Sequence, residues 1–599
     1  MRKKVVKNSI VVLLFLVLSY IYIAIPLRSG FIYVGSDRIF HLARLEEFYQ
    51  TFSQNHSVPL ISTYSFSKVG QAINTFYPWG NLLPYVLIRS LVSKPVTAYY
   101  LYIMLEQFLG LIIAFFAGSK ISRSTKKALL FSLLLRFSAY IMHDDFARAD
   151  IGESWAIIFI PLTFAGLIII LQNKQYLLGS LSITLGLTAE LYSHLLTAVL
   201  TIFVVLVIYL GTLWKQEKRF EIFRTLALSA LSFILCTIGF LYPLLDAMLK
   251  EKTIMPTKGD FSNYSLAPMD LLDWSMNNVV NMNQPNIGIW LLATIFIGAT
   301  ALKKSSNIDK SAYFLGTFFC LLGTDLLPWS WLHNTSIESI QFPWRFFPFS
   351  ILFLSYFASS KIIDSFNSSN LLVGLSIIVI LTMLNSTNKY FAQQQKIYSP
   401  AIEQDEVKSP WSHLLTNISY TKIWGSSPSV IENTQYHDYL PKSKGQDFSA
   451  AFSHELLNGK GKVLLKKSQI KSSFQGESFS FNIKQKQDRQ ITLPFYIYQK
   501  KQYSLMLNGE KKDFTVNKNN LITFKTHKNG KNIAQIRYIT PKLYSVLQGV
   551  SLLAILCELL VLLLCSIYKF KSKRKDKVFS NLNRKRLDFR FFSKANIEK

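Results

Sequence analysis

Apolar stretches long enough to cross a lipid bilayer recur through most of this 599-residue chain. A helix needs about 20 apolar residues to cross a hydrocarbon core of ~30 Å. Half of the residues are hydrophobic and 17% are charged, against roughly 25% charged in soluble domains. The pattern excludes a disordered chain, argues against a water-soluble enzyme, and predicts a polytopic membrane protein. About twelve spans are expected, at 9–27, 82–118, 127–142, 153–171, 177–192, 195–213, 225–249, 287–302, 311–328, 346–360, 370–387 and 544–567.

The formal net charge of +30 is distributed unevenly, and this predicts the orientation of the spans. Lysines and arginines cluster before the first span, in loops at 120–127, 215–224 and 303–310, and after the last span. Short basic loops stay in the cytoplasm. With twelve spans, the N-terminus and the C-terminus are both expected there. The first run, 9–27, is longer than the apolar region of a signal peptide and lacks a small-residue cleavage site, so we expect it to stay uncleaved.

The polar stretch 388–543 has a different pattern and is expected outside the cell. Its short runs alternate between apolar and polar residues, and Asn-Gly turns separate them, as in antiparallel strands. This predicts a β-rich extracytoplasmic domain, between a membrane domain at 1–387 and a last span at 544–567. A basic cytoplasmic tail follows at 568–599. The stretch 388–543 carries 24 Lys and Arg against 11 Asp and Glu, a net of +13, which suits a polyanion or anionic headgroups.

The first external loop, GSDRIFHLAR, contains one group of polar residues that could form a site. Asp37, His41 and Arg44 fall at helical spacing, so a helix there would align them on one stripe. Leucines and Phe48 on another side predict that this helix lies along the membrane interface. The alternative is that Asp37 only caps the helix.

The second external segment, MHDDFARADIGE, is dense in carboxylates although acidic residues are scarce elsewhere. Such a group at a membrane boundary could bind a sugar, a phosphate or a divalent cation. The alternative is an ordinary hydrated loop. The candidate residues are Asp144, Asp145, Arg148, Asp150 and Glu153.

Two further segments place polar residues at the outer ends of spans. In AELYSHLLT, Glu190 and His194 lie four residues apart, and in IESIQFPWRFF, Gln341 and Arg345 lie beside aromatic residues. A guanidinium suits a lipid phosphate. The alternatives are side chains that extend to the headgroups and an ordinary aromatic belt. No nucleotide-binding loop, zinc-protease motif or paired-cysteine motif occurs, so nucleotide-driven transport has no support.

Several of these segments together resemble one bacterial family of multi-spanning proteins, labelled "6-pyruvoyl-tetrahydropterin synthase-related". The resemblance rests on GSDRIFHLAR, RADIGE and QFPWR, with YSH and DYLP in support, and reaches to about residue 440. That family is similar in layout to integral-membrane glycosyltransferases of the C type (GT-C), including enzymes that decorate teichoic acids. The resemblance therefore implies a GT-C-like fold in a bacterial plasma membrane, with 1–387 as the transferase-like domain.

The resemblance also implies roles for the residues. C-type enzymes take a sugar from a polyprenyl-phosphate donor, and a carboxylate after the first span acts as catalytic base, which matches Asp37. His41 or Arg44 would orient the acceptor or contact phosphate, and Arg345 or Arg148 would stabilise the departing phosphate. The remaining candidates would bind substrate. Because the first loop has a single Asp where the family pattern has paired acids, no metal or other cofactor is predicted, although a divalent cation stays possible in principle.

The expected partners are a lipid-linked sugar donor, an anionic surface glycopolymer or glycolipid acceptor, and membrane lipids, with no nucleic acid. Two alternatives remain at this stage. The first is a transporter or flippase for a lipid-linked envelope precursor, which should carry polar residues at mid-membrane depth. The second is a non-catalytic envelope assembly factor that acts through 388–543. The sugar, the acceptor, the stereochemical outcome and the oligomeric state do not follow from the sequence.

Overall fold

A computed structural model describes most of the chain. The described residues are 2–33, 36–366, 368–403, 414–415, 434–443, 447–458, 461–465, 469–483, 489–526, 529–565 and 567–568. The expected basic tail at 568–599 lies outside them except for its first residue.

Helices form the first two thirds of the chain, and every apolar run expected to span the membrane falls on one or two of them. The α-helices are Arg2–Ser29, Arg38–Asn55, Ile73–Phe76, Leu82–Leu91, Pro95–Ser122, Thr125–Arg136, Ala139–Met142, Ile151–Ile157, Ile160–Asn173, Tyr176–Ser193, Leu195–Leu213, Arg219–Lys250, Phe261–Tyr264, Pro268–Met276, Ile289–Ala301, Asn307–Leu321, Phe347–Phe366, Ser369–Glu403, Ser449–Phe452 and Lys542–Cys565.

Among the described residues, eight helical segments are long and apolar enough to cross a membrane. They are Ser9–Ser29, Pro95–Ser122, Ile151–Asn173, Leu195–Leu213, Arg219–Lys250, Pro343–Phe366, Ser369–Ile397 and Lys542–Cys565. The other four expected spans form helices of 12 to 18 residues that are shorter or more polar: Thr125–Arg136, Tyr176–Ser193, Ile289–Ala301 and Asn307–Leu321. The chain is a helical multi-pass membrane protein, and in its described part eight of the twelve expected spans have the length and apolarity to cross a membrane.

Polar contacts join the basic loop at 120–127 to the ends of two other helices. The Lys127 ammonium lies 2.7 Å from an Asp364 carboxylate oxygen. The Arg123 guanidinium donates to the Asn173 side chain at 2.6 Å. These contacts bring the ends of four helices together at one end of the bundle.

The C-terminal region contains two five-stranded antiparallel sheets, which confirms the predicted β-rich character. One sheet has the order β10-β11-β7-β3-β4 and the other β5-β6-β12-β8-β9, while β1 pairs with β2. The strands are β1 (Ile32–Tyr33), β2 (Leu414–Leu415), β3 (Leu456–Asn458), β4 (Val463–Leu465), β5 (Gln469–Ser473), β6 (Gly476–Ile483), β7 (Arg489–Tyr496), β8 (Tyr503–Leu507), β9 (Glu510–Lys512), β10 (Thr515–Val516), β11 (Leu521–Thr526) and β12 (Gly530–Tyr538).

The two-sheet region docks on the loop that follows the first span. The Thr63 hydroxyl donates to the Ser473 carbonyl at 2.7 Å, and the Tyr496 amide donates to the Val69 carbonyl at 2.8 Å. Gly70 adopts a positive φ of 73° and lies against the Phe495 ring, where a Cβ would collide with it. The first loop is therefore held between the helices and the sheets.

This docking corrects the expectation that the first-loop helix lies along the membrane interface. Most side chains of Arg38–Asn55 are buried through their first three turns, on every side of the helix. An interfacial helix would keep its polar face exposed. Here that face is covered by protein instead: the buried Glu47 carboxylate accepts hydrogen bonds from the backbone amides of Thr63, Tyr64 and Ser65.

Candidate active site

Five segments bring the candidate residues to one place at the sheet end of the bundle. Asp37 is the N-cap residue of Arg38–Asn55, and its side chain makes no capping hydrogen bond. A π-helical turn, His143–Arg148, is followed by Ala149 in a left-handed conformation (φ 59°). Asp150 then caps the helix that begins at Ile151, and Arg345 lies in the 3-10 turn Pro343–Phe346, which begins a span. His194 occupies the break between two bundle helices.

Arg148 is the centre of this site, because its guanidinium contacts four carboxylates. Its Nη1 lies 2.7 Å from Glu153 Oε2 and 3.2 Å from Asp144 Oδ1. Nη2 lies 2.8 Å from Asp150 Oδ2, and Nε lies 3.3 Å from Asp37 Oδ2. We call Arg148, these four carboxylates and Arg345 the arginine–carboxylate cluster. The planar guanidinium fixes the relative positions of all four acids.

Arg345 supplies the second cation of the arginine–carboxylate cluster. Its Nε lies 3.3 Å from Glu153 Oε2, and its Nη2 lies 3.9 Å from Asp150 Oδ2. The rings of Phe342 and Trp344 stack with centroids 4.6 Å apart. The Arg345 guanidinium lies 5.2 Å from the Phe342 centroid, and that of Arg148 lies 5.0 Å from Trp344. The aromatic pair therefore lies beside both cations.

Asp150 is bound from several directions. It accepts from the Glu153 backbone amide at 3.1 Å, as a helix cap does, while His41 Nε2 lies 3.1 Å from Oδ1. The Tyr77 hydroxyl donates to the same oxygen at 3.4 Å. Gly152 packs against Tyr77 so closely that a Cβ would collide with its hydroxyl, which explains the glycine of the RADIGE segment.

Two carboxylates of the arginine–carboxylate cluster have pKa values shifted in opposite directions. Burial and the nearby Glu153 raise the pKa of Asp144 well above its usual range, and Asp144 Oδ2 has no hydrogen-bond partner among the described residues. Burial also acts to raise the pKa of Asp150, but Arg148 and His41 outweigh it, and the pKa of Asp150 is well below its usual range. The surroundings of Asp144 therefore favour its protonated form, whereas those of Asp150 favour its ionised form.

One carboxylate of the cluster stands out by its exposure. The Asp37 side chain is 39% exposed, whereas those of Asp144, Asp150 and Glu153 are 4% exposed or less. Asp37 Oδ1 accepts a 3.3 Å hydrogen bond from the Ser36 hydroxyl. Of the four acids, Asp37 is thus the one that an incoming molecule can reach without displacing protein.

Two more candidates lie close to the cluster. His194 Nδ1 lies 2.8 Å from the Thr197 hydroxyl, its ring is 6.0 Å from that of Tyr77, and burial lowers its pKa to about 4. The Arg44 guanidinium lies 4.1 Å from the Tyr77 ring centroid and donates to the Pro78 carbonyl. Arg44 is fully buried, and its Nε and Nη1 have no hydrogen-bond partner in the described part of the chain.

Two expected site residues lie outside the cluster. Gln341 donates to the Thr257 carbonyl at 2.9 Å on the exposed side of its loop. Asp145 points the other way from Asp144, because successive residues of a helical turn face different directions. It accepts from Tyr22 at 2.7 Å, deep in the bundle, near Glu106.

Glu106 belongs to a polar network inside the helix bundle that sequence reasoning missed. Its carboxylate lies 3.2 Å from the Arg136 guanidinium and accepts from the Ser154 hydroxyl at 3.1 Å. Glu106 and Arg136 are each within 1% of complete burial. Both lie in apolar runs that predict membrane spans, and neither belongs to a motif or spacing that predicts a polar site. Tyr77 and Tyr140, which donate to the cluster acids, were missed for a similar reason, since single tyrosines carry no spacing signal.

Within the described residues, one group of acidic and histidine side chains has ligand atoms close enough for a metal ion, and it lies outside the arginine–carboxylate cluster. Asp260, His333 and Glu338 bring them within 4.8 Å of one another. The Glu338 oxygens already pair with His333 Nδ1 at 3.0 Å and the Asn334 amide at 3.1 Å, and Asp260 caps a short helix. In the arginine–carboxylate cluster, the two arginines supply the positive charge that a metal would otherwise bring.

Two solved structures are similar to this chain over roughly 60% of its length. One is the arabinofuranosyltransferase AftD from Mycobacteria, with 15% identity, a TM-score of 0.40, and coverage of 64% of this chain but only 26% of that one. The other is ArnT from Cupriavidus metallidurans bound to undecaprenyl phosphate, with 12% identity, a TM-score of 0.40, and coverage of 62% of each chain.

No family model and no curated protein sequence matches the chain. Membership of the pterin-synthase-related family, which the sequence motifs suggested, therefore stays a prediction.

Proposed function

We propose that this protein is a membrane glycosyltransferase that moves a sugar from a polyprenyl-phosphate donor to an extracellular cell-envelope acceptor. The observation that carries the proposal is the arrangement around Arg148. An exposed carboxylate, Asp37, and a second cation, Arg345, both adjoin one rigid group of buried acids. A base for a hydroxyl and a cation for a phosphate are the two groups that such a transfer needs.

Asp37 is the proposed catalytic base. The acceptor hydroxyl oxygen attacks the anomeric carbon of the sugar while its proton passes to the Asp37 carboxylate. The bond between that carbon and the phosphate oxygen breaks, and its electron pair leaves on the lipid phosphate. Arg148 holds Asp37 through a 3.3 Å contact, so the base is oriented before substrate arrives.

Arg345 and Arg44 are the proposed phosphate contacts. Arg345 lies at the start of a span beside two aromatic rings, where the headgroup of a lipid donor would approach. Arg44 is buried, with two unpartnered guanidinium nitrogens and no carboxylate within ion-pair distance among the described residues. A buried cation without a counter-charge is costly. A phosphate that enters beside Tyr77 would supply that charge.

The buried acids are the proposed positioning groups. Asp150 and Glu153 each contact both arginines, and His41 contacts Asp150. In this account they hold the cations in place and present hydrogen-bond acceptors to sugar hydroxyls. We propose no metal or other cofactor.

One observation favours the alternative of a transporter for a lipid-linked precursor. The paired Glu106 and Arg136 lie inside the bundle, and buried ionisable residues mark many transport pathways. Their carboxylate and guanidinium neutralise each other, however, and Gln107 also accepts from Arg136 at 2.8 Å, as expected of a structural network.

Donor consumption by the purified protein distinguishes the two functions. We expect protein in detergent, given a polyprenyl-phosphate-linked sugar and an envelope polymer, to release polyprenyl phosphate and glycosylate the polymer. Transport requires two compartments, whereas transfer does not. A protein that binds the donor in detergent but never cleaves it, and moves it across vesicles, would be a transporter.

A further inference from the structure

The outward face of the sheet β5-β6-β12-β8-β9 is positively charged. In β12, burial alternates along the strand, so that every second side chain points away from the sandwich core. The same alternation continues on the neighbouring strands. The cations on this face are Lys471, Lys511, Lys531 and Arg537, and the paired strand positions that share it carry no Asp or Glu.

The register of the sheet arranges these side chains in rows. One row crosses all five strands, from Lys471 through Ser478, Gln535 and Met506 to Lys511. With neighbouring strands about 4.8 Å apart, its two lysines are about 19 Å apart. Ser478, Gln535 and Met506 therefore lie between two cations in this row.

This surface, which we call the cationic sheet face, connects directly to the candidate active site. At one edge, the Ser473 carbonyl accepts from the Thr63 hydroxyl at 2.7 Å, and the Thr63 amide donates to Glu47 at 3.0 Å. Glu47 belongs to Arg38–Asn55, the helix that Asp37 caps. Through these contacts the sheet is fixed to the element that carries the proposed base.

We propose that the cationic sheet face binds the acceptor as an anionic glycan polymer. The inference rests on the proposed function and names the chemistry of its acceptor: phosphate or carboxylate groups that meet the four cations, and hydroxyls that meet Ser478 and Gln535. A polymer longer than about 19 Å spans the face while one end reaches the first loop. A membrane-docking face would instead need a row of exposed apolar side chains, and here only Ile533 and Met506 are apolar.

The test measures binding of soluble poly(glycerol phosphate) to the full-length protein at low salt. The variant Lys471→Gln/Lys511→Gln/Arg537→Gln removes three cations from the face. The matched control, Lys462→Gln/Lys518→Gln/Lys525→Gln, removes three exposed lysines that lie off it. Each cation near an anionic surface contributes about a factor of five, so we expect at least about tenfold weaker binding for the first variant and under twofold for the control.

Two results would overturn the cationic sheet face as the acceptor site. One is an equal loss of binding in both triple variants, which would mean that only net charge matters. The other is unchanged polymer binding accompanied by lost binding to vesicles of phosphatidylglycerol, which would make the face a membrane contact.

Polymer binding and sugar transfer together distinguish a wrong acceptor site from a wrong proposed function. Asp37→Asn should bind poly(glycerol phosphate) as the wild type does, because it leaves the face intact. In a transfer assay, the face variant should raise KM for the polymer and leave kcat unchanged. If transfer proceeds with an unchanged KM, the face is not the acceptor site although the proposed function stands.

Discussion

Asp37→Asn is expected to lower sugar transfer about 10²- to 10⁴-fold, the usual contribution of a general base. The amide has nearly the same shape as the carboxylate, and its oxygen can still accept from Arg148, but it cannot take a proton at neutral pH. Because Asp37 is 39% exposed and makes one 3.3 Å ion pair, the variant should fold and insert normally. The measurement is the initial rate of transfer at saturating donor, with the unfolding temperature in detergent as the folding check.

The matched control for this variant is Asp270→Asn. Asp270 is exposed in the first turn of Pro268–Met276 and lies outside the cluster, so its loss should leave the transfer rate unchanged. A wild-type rate in Asp37→Asn would show that Asp37 is not the base.

Arg148→Gln is expected to have the largest effect on stability, about 3–5 kcal/mol lost. Three buried carboxylates and Asp37 contact this one guanidinium, and of these four acids only Asp150 and Glu153 also contact Arg345. The measurement is the fall in unfolding temperature and in monodisperse yield in detergent. Arg123→Gln is the control, since Arg123 is exposed and makes one hydrogen bond to Asn173.

A second substitution tests the reason for that loss. If uncompensated charge is the cause, Arg148→Gln combined with Glu153→Gln should recover part of the stability, because one buried negative charge is removed together with the cation. No difference between Arg148→Gln and Arg123→Gln would contradict the central role of Arg148.

The sequence predicts the site better than it predicts the contacts within it. Asp37, Asp150 and Arg345 are far apart in the chain, yet each lies where a loop meets a helix on the expected outer side. The structure brings both acids to the Arg148 guanidinium and Arg345 to Asp150. The density of acidic residues in MHDDFARADIGE, in a chain with few acids elsewhere, indicated that this segment could form a site. Asp144 joins the cluster and Asp145 faces the bundle interior because both lie in a π-helical turn. No local sequence pattern predicts that turn.

The helices were predictable from apolar length, whereas their depth of burial was not. Arg38–Asn55 has the spacing of a surface helix, and it is buried by Leu82–Leu91 and by the loop at 63–65, to which the sheet is bonded from about 400 residues away. Glu106 and Arg136 are the opposite case, since they lie in apolar runs but are charged. A single charged residue in such a run does not predict a partner, and their ion pair forms only when the two helices pack together. The strands of the C-terminal region followed from alternation and Asn-Gly turns, but strand order depends on long-range pairing.

The position of the lipid phosphate tests the central claim most directly. A cryo-electron microscopy structure of Asp37→Asn with a polyprenyl-phosphate-linked sugar would trap the donor before transfer. The account predicts the phosphate within ion-pair distance of Arg345, with the anomeric carbon facing residue 37. A phosphate bound instead at the lysine-rich end of the bundle, or beside Glu106 and Arg136 in its interior, would contradict the account.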